Sequence, residues 1–456
     1  MENQTITSYS DQLHKVIPGG AHTYSKGDDQ YPSNAPQILS KGEGAYVWDA
    51  DGNKFLDYGM GLRSITVGYA QQEINQAALE GMQLGNNLTR ASLIELKAAE
   101  LMCSLFPSAD MVKFAKNGST TTSAAVKLSR AYTGRKLVVR CAQQPFFSYD
   151  DWFIGSTPLT HGIPAETSAL TLQFEYNNID SLKEIFAQHS DQIACVILEP
   201  CTTVSPCASA CDQPHSAKSC QGCPNIGHNF LHQVKEVCKA NGAVFILDEM
   251  ITGFRWDLRG AQRYFDIEPD LATFGKGMAN GFSVAALVGK KEIMELGGIR
   301  EEGAERVFLV STTHGAEMSS LAAFIKTIEV YERDNVTSHL WDYGQKFKDG
   351  INNIAQSLGI QEHFYVEGYP CSPNYVAKDH NKDMSLAFRT LFSQEMINHG
   401  VLIPWVALSY AHQDTELNIM LEAAQKALTT YKQALESGIE RYLKGDVIRP
   451  VFRKYN

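Results

Sequence analysis

Lys276 is the residue whose surroundings most strongly indicate chemistry. It lies between Gly275 and Gly277, directly after a short apolar run. A surface lysine needs no such frame, whereas flanking glycines let another group approach the backbone closely. Upstream, Asp248 follows a run of five apolar residues, which should place it at the carboxyl edge of a buried strand, where α/β sheets hold their ligands. The pair predicts a Schiff-base lysine with a carboxylate partner.

Asp248 also has a purely structural interpretation. It could cap a helix or pair with Arg255, which follows it in the sequence. An unpaired carboxylate at a buried strand end would be costly. Because Lys276 follows in its glycine frame, the interpretation as a cofactor contact is favoured.

A hydroxyl-rich helix start predicts an anion site. Asn117, Gly118 and Ser119 follow an apolar run and precede a helical pattern that includes Ala124 and Leu128. The first turn of a helix leaves backbone N–H groups unsatisfied, its dipole favours negative charge, and Gly118 permits close approach. Plain N-capping is the alternative, since side chains of this kind before a helix usually serve as caps.

Pyridoxal phosphate (PLP) would use these features together. It needs an amine for its aldehyde, an anion opposite its pyridinium nitrogen and a cradle for its phosphate. Lys276, Asp248 and the segment that begins at Asn117 offer one each. A second hydroxyl-rich segment, 311–315, precedes another helical pattern and adds a candidate phosphate ligand.

The hydrophobic pattern predicts the elements that position these residues. A hairpin is predicted over 44–57 around an Asp-Gly turn, and helices are predicted from near Ser319 and around 417–431. Between them, apolar runs alternate with helical patterns, which predicts an α/β fold with a mainly parallel sheet covered by helices on both faces. The predicted strands span 111–115, 137–140, 170–174, 194–198, 244–247 and 284–288.

Length and composition set the class of protein. The 456 residues suit two interleaved domains, and the net charge of −11 argues against a nucleic-acid or anionic-membrane partner. No stretch approaches the roughly 20 apolar residues of a membrane span, and the N-terminus lacks the features of a signal peptide, so a cytoplasmic protein is expected. We predict an N-terminal segment 1–57 that joins a small domain, a large domain over 58–318 and a small C-terminal domain over 319–456.

A series of motifs along the chain carries a family resemblance. In sequence order they are Pro18-Gly19-Gly20, Gly44-Ala45-Tyr46-Val47-Trp48-Asp49-Ala50-Asp51-Gly52, Asn117-Gly118-Ser119, Leu198-Glu199-Pro200, Asp248-Glu249-Met250-Ile251-Thr252-Gly253-Phe254-Arg255, Gly275-Lys276 and Thr313-His314-Gly315-Ala316-Glu317. The chain resembles class III aminotransferases of PLP fold type I, and most closely the glutamate-1-semialdehyde 2,1-aminomutase branch. The resemblance implies a large domain with a mainly parallel seven-stranded sheet and a smaller α+β domain built from both termini.

The resemblance also implies roles at the catalytic centre. Lys276 would form the internal aldimine with PLP and then shuttle the proton between the substrate carbon and the cofactor. Asp248 would keep the pyridine nitrogen protonated, so that the ring remains an electron sink. Met250 would pack against one face of the ring.

The remaining contacts of the cofactor are implied in the same way. Gly118 and Ser119 would bind the phosphate from one subunit of a homodimer, and Thr313 from the other, so that the active sites are shared. Asn117 and Glu199 belong to matched motifs and are predicted cofactor contacts.

The second face of the ring departs from the family pattern. Relatives carry Tyr-His-Gly, whereas this chain has Phe146 at the tyrosine position and Phe147 after it. Phe146 keeps an aromatic stack, but both phenylalanines could instead be ordinary core residues, Phe147 more so.

The substrate-binding motifs depart as well. Lys26 occupies the position at which the aminomutases carry an arginine for the substrate carboxylate, and a lysine lacks the two-pronged planar fork of an arginine. No arginine matching the switchable carboxylate-binding arginine of many class III transaminases occurs near 409–412. A neutral, hydroxylated acceptor, such as a keto-sugar, is therefore a hypothesis.

A cysteine cluster has no counterpart in the ordinary family. Five of the ten cysteines lie in an insertion at about 201–228. Cys207, Cys211, Cys220 and Cys223 have a spacing that suits tetrahedral zinc and, less well, an iron–sulfur cluster. The four cysteines could instead be unligated or disulfide-bonded. Any metal here would be structural.

Three functions remain open from the sequence. The leading hypothesis is an aminotransferase that moves an amine from a small-molecule donor to a ketone or aldehyde. An intramolecular aminomutase would use the same residues. A non-catalytic scaffold would need neither Lys276 nor Asp248, so their joint presence argues against it.

Overall fold

A computed structural model describes residues 8–201, 203–207 and 228–455 of the chain. These residues form two compact units. The terminal unit contains residues 8–71 and 339–453, and the central unit contains residues 72–338 with 454–455. The predicted catalytic and cofactor-binding residues all belong to the central unit.

Strands are numbered along the chain. They are β1 (Leu39–Glu43), β2 (Tyr46–Asp49), β3 (Lys54–Asp57), β4 (Met111–Ala115), β5 (Leu137–Cys141), β6 (Thr171–Phe174), β7 (Ile193–Leu198), β8 (Val244–Asp248), β9 (Leu271–Phe274), β10 (Ala285–Gly289), β11 (Phe364–Glu367), β12 (Asn374–Ala377) and β13 (Val401–Leu402).

The α-helices of the described residues are numbered likewise. They are α1 (Tyr9–Val16), α2 (Met60–Arg63), α3 (Gln72–Gln83), α4 (Leu93–Leu105), α5 (Gly118–Thr133), α6 (Asp151–Ile154), α7 (Ala165–Ser168), α8 (Ile179–Gln188), α9 (Phe230–Ala240), α10 (Gly260–Tyr264), α11 (Lys291–Met294), α12 (Met318–Arg333), α13 (Val336–Ser357), α14 (Leu386–Asn398) and α15 (Asp414–Ser437). Short 3-10 helices lie at Tyr24–Lys26, Asp28–Gln30, Lys276–Ala279, Glu295–Gly297 and Ile439–Arg441.

A seven-stranded sheet forms the core of the central unit. Its strand order is β4-β10-β9-β8-β7-β5-β6. The pairs from β9 to β6 are parallel, whereas β10 runs antiparallel to both β4 and β9. Strands β5, β7, β8, β9 and β10 are buried along their whole length, as expected for a sheet covered on both faces. The predicted α/β fold with a mainly parallel sheet is confirmed.

Adjacent strands in this sheet bring two predicted residues close together. β8 and β9 pair in parallel, with Asp248 opposite Thr273. Lys276 comes three residues after Thr273, just beyond the end of β9. The carboxyl ends of β8 and β9 therefore bring Asp248 and Lys276 to the same edge of the sheet.

The terminal unit is built from both ends of the chain. A four-stranded sheet has the order β1-β2-β3-β13, in which β13 pairs in parallel with β3. The predicted hairpin is present as β2 and β3. The turn α2 has left-handed backbone at Met60, Gly61, Leu62 and Arg63, whose φ angles are 39°, 55°, 61° and 67°. The β11–β12 hairpin and the helices α14 and α15 also belong to this unit.

Within the described residues, no helix is both long enough and apolar enough to cross a membrane.

Candidate active site

Asp248 is a buried carboxylate with both of its hydrogen bonds on one oxygen. It is the last residue of β8 and is 2% exposed. Its Oδ1 accepts from the backbone N–H of Met250 at 3.0 Å and from Oγ1 of Thr273 at 3.2 Å. No hydrogen bond from the described residues reaches Oδ2. One oxygen is thereby held in place, and the other is left for a ligand.

Burial governs the ionisation of Asp248. Removal from water raises its pKa from 3.8 to about 6, although the hydrogen bond from Met250, the charge of Lys276 and the hydrogen bond from Thr273 all oppose that rise. At neutral pH the carboxyl group is mostly ionised, but burial makes this charged form less stable than it would be in water. A cationic partner beside it would favour the charged form.

The raised pKa predicts an unusual dependence of stability on pH. Between about pH 4 and pH 6 the folded cofactor-free protein binds more protons than the unfolded chain, so this carboxyl group lowers stability as pH rises through that window. In protein stripped of cofactor, Asp248→Asn should therefore raise the free energy of unfolding at neutral pH by about 2–3 kcal/mol. The gain should vanish below about pH 4, where the aspartate is protonated in both states. Denaturant unfolding across this pH range measures the difference, and a loss of stability at neutral pH would contradict the expectation.

The next residue, Glu249, has a structural environment. Its side chain is fully buried and accepts hydrogen bonds from Oγ1 of Thr252 and from the backbone N–H groups of Ala261 and Gln262, at 2.6–2.9 Å. Gly260, with φ at 76°, lies so close that an added Cβ would sit 2.7 Å from Oε1 of Glu249. Glu249 therefore anchors the loop that leads into α10 and fixes the chain that leaves Asp248.

Lys276 lies in a strained backbone conformation. Its φ is 45°, in the left-handed region that non-glycine residues rarely adopt, and it begins the 3-10 helix Lys276–Ala279. Tyr331 on α12 donates a hydrogen bond from its hydroxyl to the carbonyl of Gly277 at 3.1 Å. This bond stabilises the 3-10 helix. Strain of this kind persists only where the surrounding structure enforces it, and it concentrates at functional sites.

The side chain of Met250 lies close to both Gly118 and Gly275. Its sulfur lies 2.7 Å from the place that a Cβ would occupy on Gly118, and 2.7 Å from the corresponding place on Gly275. A Cβ at either glycine would therefore require the Met250 side chain to move. The residue predicted to pack against the ring thus lies between the start of α5 and the segment that carries Lys276.

The start of α5 has a side-chain N-cap and also first-turn N–H groups that have no acceptor within the helix. Asn117 is the N-cap, and its Oδ1 accepts from the backbone N–H of Thr120 at 3.0 Å and from its hydroxyl at 3.1 Å. The capping role is therefore present for the Asn117 side chain. Amides of the first helical turn, at Gly118 and Ser119, have no intrahelical acceptor and remain suited to an anion.

Hydroxyl groups fasten this turn to the following loop. Ser119 is 5% exposed, and its Oγ accepts from the backbone N–H of Tyr149 at 3.1 Å. Oγ1 of Thr122 donates to the carbonyl of Phe147 at 2.8 Å. These bonds hold the loop after β5 against the start of α5.

The two phenylalanines of that loop have different environments. Phe147 is 2% exposed and packs edge-on against Phe153, so it is a core residue. Phe146 is 47% exposed, with its ring 5.8 Å from that of Phe153. An exposed aromatic ring on this loop suits the stacking role predicted for Phe146.

Glu199 contacts the same loop through its backbone. It is 5% exposed and follows β7. The side chain of Gln144 accepts from the backbone N–H of Glu199 and donates to its carbonyl, each at 2.8 Å. This paired amide contact fixes the backbone of Glu199 to the loop that carries Phe146.

Thr313 lies on an exposed loop before α12. Its carbonyl accepts from Nδ2 of Asn87 at 2.9 Å, and no described contact joins it to Lys276 or Asp248. Glu317 at the end of this loop forms an ion pair with Lys116, the residue before Asn117. This ion pair connects the loop to the residue that precedes the N-cap of α5. Thr313 itself is exposed to solvent.

Thr273 and Gln144 are the contacts that sequence reasoning did not single out. Each is a polar residue in a buried position that bonds directly to a predicted site residue. A signal existed for Thr273, since it is the one polar residue within the buried strand β9. The signal for Gln144 was weaker, because an adjacent pair of glutamines on a loop has no characteristic spacing.

These residues fit a PLP-shaped ligand. A lysine at one sheet edge, a buried carboxylate with one oxygen unbonded and a helix start with a glycine lie around Met250. The donor set matches an aldehyde, a ring nitrogen and a phosphate.

Most of the cysteine cluster lies outside the described residues, since Cys211, Cys220 and Cys223 are not among them. Cys207 is described and is buried, with its backbone N–H bonded to Oδ1 of Asn177 at 2.9 Å. Across the part of the chain that the structure describes, no group of three or more His, Cys, Asp or Glu side chains could hold a metal ion.

The fold and the site define a protein of the PLP-dependent transaminase type. The family model of class-III aminotransferases matches residues 29–435. The chain therefore belongs to the class-III aminotransferase family, a family of enzymes, as its motifs predicted.

Curated relatives in this family have more than one activity. The chain is 29% identical over 432 residues to the 3-aminobutyryl-CoA aminotransferase of Cloacimonas acidaminovorans, covering 94% of this chain and 97% of the relative. It is 28% identical to the glutamate-1-semialdehyde 2,1-aminomutase of Alkaliphilus metalliredigens, covering 94% and 98%. The aminotransferase and the aminomutase are thus similar to this chain to nearly the same degree.

Solved structures share the fold. The PLP internal aldimine form of the FumI protein of Sphingopyxis sp. MTA144 is 27% identical, with a TM-score of 0.80 and coverage of 94% of this chain and 97% of that one. An omega-transaminase from Sphaerobacter thermophilus is 23% identical, with a TM-score of 0.77 and coverage of 93% and 97%. The latter likeness bears on the fold alone.

Proposed function

We propose that the protein is a PLP-dependent aminotransferase that moves an amino group from a small-molecule donor onto a ketone or aldehyde. The observation that carries the proposal is the meeting of Lys276, Asp248 and the start of α5 around Met250 in a chain of this family. When bound, PLP supplies an electron sink for the chemistry at the substrate carbon.

Each residue would contribute a distinct physical effect. The amine of Lys276 would hold the cofactor covalently and then move a proton at the substrate carbon. The ionised Oδ2 of Asp248 would stabilise a positive charge on the ring nitrogen. Amides at Gly118 and Ser119 would bind the phosphate, and Phe146 would cover one ring face.

For the acceptor, we infer a neutral, hydroxylated carbonyl compound such as a keto-sugar. The inference is supported by Lys26, which replaces the arginine of the aminomutases and lies exposed at the end of the 3-10 helix Tyr24–Lys26. A single ammonium group cannot reproduce the two parallel bonds of a guanidinium with a carboxylate. Recognition of a carboxylated acceptor at this position would therefore be weak.

A panel of acceptors tests this specificity. The enzyme is charged with an amino group from a donor, freed of excess donor and exposed to keto-sugars, hydroxyaldehydes and oxo-acids, with the aminated products identified by mass spectrometry. Hydroxylated neutral carbonyls should react faster than oxo-acids, and Lys26→Arg should improve the oxo-acids. A wild-type preference for glutamate 1-semialdehyde would contradict the inference and favour the aminomutase.

The aminomutase is the second candidate, favoured by the similarity to the enzyme of Alkaliphilus metalliredigens. An aminomutase isomerises one substrate without net release of a deaminated donor. An aminotransferase releases one equivalent of deaminated donor per site before the acceptor is added. Measurement of that release in a single turnover separates the two. A scaffold would show neither reaction.

We further propose a homodimer with shared active sites, in which Thr313 binds the phosphate at the partner's site. The outward-facing position of Thr313 supports this arrangement. Thr313→Ala should weaken cofactor binding by about tenfold, since one hydrogen bond to a charged group would be lost. Mixing this variant with Lys276→Ala protein should restore activity at limiting cofactor, because each hybrid dimer would hold one intact site. Hybrids that form but stay inactive would contradict the shared site, as would a fully active monomer in light scattering.

The cysteine insertion remains a separate proposal. Cys207, Cys211, Cys220 and Cys223 should bind one structural metal, most simply zinc, on the strength of their spacing. Elemental analysis of protein purified without added metal should find about one zinc per chain, or iron with a brown colour. Metal affinity should fall in mild acid, where thiolates are protonated. Metal-free protein with all four thiols freely titratable would exclude the site.

A further inference from the structure

Thr273 is a buried hydroxyl residue in direct contact with the predicted catalytic carboxylate. It is 0% exposed and stands opposite Asp248 in the parallel pairing of β8 and β9. Its Oγ1 donates to Oδ1 of Asp248 at 3.2 Å, and its carbonyl accepts from the backbone N–H of Glu249 at 2.8 Å. The residue thus contacts the end of β8 with both its side chain and its backbone.

A threonine at this position is not explained by packing. Every other residue of β9 is apolar and the strand is buried throughout, where valine has the same shape and no hydroxyl to satisfy. A buried hydroxyl needs a partner, and the partner here is the carboxylate rather than a backbone group. The arrangement indicates that the hydroxyl serves Asp248.

The two donors of Asp248 act on the same oxygen. Oδ1 accepts from Thr273 and from the amide of Met250, whereas Oδ2 receives no hydrogen bond from any described residue. Two bonds to one oxygen fix the plane of the carboxylate, and they favour its ionised form. The other oxygen keeps its full capacity to interact with a cation.

We propose that Thr273 is a positioning residue of the active site, which with the amide of Met250 holds Oδ1 of Asp248 so that Oδ2 remains for the protonated ring nitrogen of the cofactor. This rests on the proposed function of Asp248. Thr273 itself touches neither substrate nor cofactor in this proposal. It acts by orienting the carboxylate and by keeping it ionised.

Other charged groups near Asp248 do not replace the stabilisation that the Thr273 hydroxyl gives to its ionised form. Lys276 is the cation that favours its ionised form. The neighbouring carboxylate, Glu249, accepts its own hydrogen bonds from Thr252 and from the start of α10. Loss of the Thr273 hydroxyl should therefore shift the ionisation of Asp248 without compensation from either group.

Thr273→Val is the direct test, because valine keeps the shape and β-branching of threonine and removes only the hydroxyl. The full chain is stripped of cofactor, and the free energy of unfolding is measured against pH for wild type and for Thr273→Val, each with and without Asp248→Asn. Subtracting the Asp248→Asn curve from its parent curve gives the pH dependence that Asp248 contributes. The midpoint of that difference curve should move upward by about half a pH unit to one unit. In the holoenzyme, kcat should fall by about five- to tenfold, with its acid limb shifted in the same direction and KM little changed.

Thr273→Ser is the matched control, since serine retains the hydroxyl and loses the methyl group. It should restore both pH midpoints to near the wild-type values, even if packing lowers its stability. A purely structural role predicts the opposite pattern, in which valine is tolerated with unchanged midpoints and serine is the more damaging change. Unchanged midpoints in Thr273→Val would overturn the proposal.

The test also separates this inference from the proposed function. If Asp248→Asn retained full activity, the catalytic role of Asp248 would be wrong, whatever Thr273 does. The shift in the cofactor-free protein would still report whether Thr273 supports the ionised carboxylate. If the shift appeared but kcat and its pH profile did not move, the contact would be present without the positioning role, and the proposal would fail.

Discussion

Lys276→Ala is expected to lower kcat by at least about 10³-fold while the protein remains folded. The variant would lose both the amine that holds the cofactor and the group that moves the proton, and each contributes substantially to the rate. The fold should tolerate the change, because Lys276 lies outside the strands of the sheet and the proposed phosphate and ring contacts are on other segments. Binding of the cofactor should persist without a covalent link.

Covalent trapping provides the measurement. Borohydride reduction of wild-type protein should attach the cofactor to the peptide that contains Lys276, which mass spectrometry would detect. The Lys276→Ala protein should carry no such label and should lose the visible absorbance of lysine-bound PLP. Lys239→Ala, at an exposed lysine near the end of α9, is the matched control and should behave as wild type. A near-wild-type rate in Lys276→Ala protein would remove Lys276 from the mechanism.

Asp248→Asn should lower kcat by about 10²- to 10³-fold with the cofactor still bound. A neutral amide can accept the hydrogen bonds from Met250 and Thr273, so the local geometry should be kept. It cannot stabilise a positive charge on the ring nitrogen, and a preorganised charge of this kind is typically worth that factor in rate. The same substitution should stabilise the cofactor-free protein at neutral pH, since a buried charge is removed.

Opposite effects on stability and activity would identify Asp248 as a residue retained for function. Asp266→Asn is the matched control, because Asp266 is exposed and asparagine tolerates its positive φ of 51°. That variant should leave kcat at the wild-type value. An unchanged kcat in Asp248→Asn protein would contradict the assigned role.

Short stretches of the sequence were enough to predict most of the local structure. Apolar runs predicted six of the seven strands of the central sheet, all except β9, and the glycines around Lys276 marked a place of close approach. The structure shows that Met250 makes that approach at Gly275. Phe147 is a core residue and Phe146 is exposed. The matched motif had favoured this distinction, although two adjacent identical side chains carry no local signal that separates them.

The sequence alone indicated the class of fold through its hydrophobic periodicity and the family through the order of its motifs, and it singled out Lys276 and Asp248 as candidates. These signals all lie within short stretches of chain. Only the tertiary structure decided which residues meet across the sheet. The register of β8 against β9 brings Thr273 to Asp248, and the strand order places β10 antiparallel between β4 and β9. Such contacts join residues far apart in sequence, so they depend on packing that no local pattern specifies.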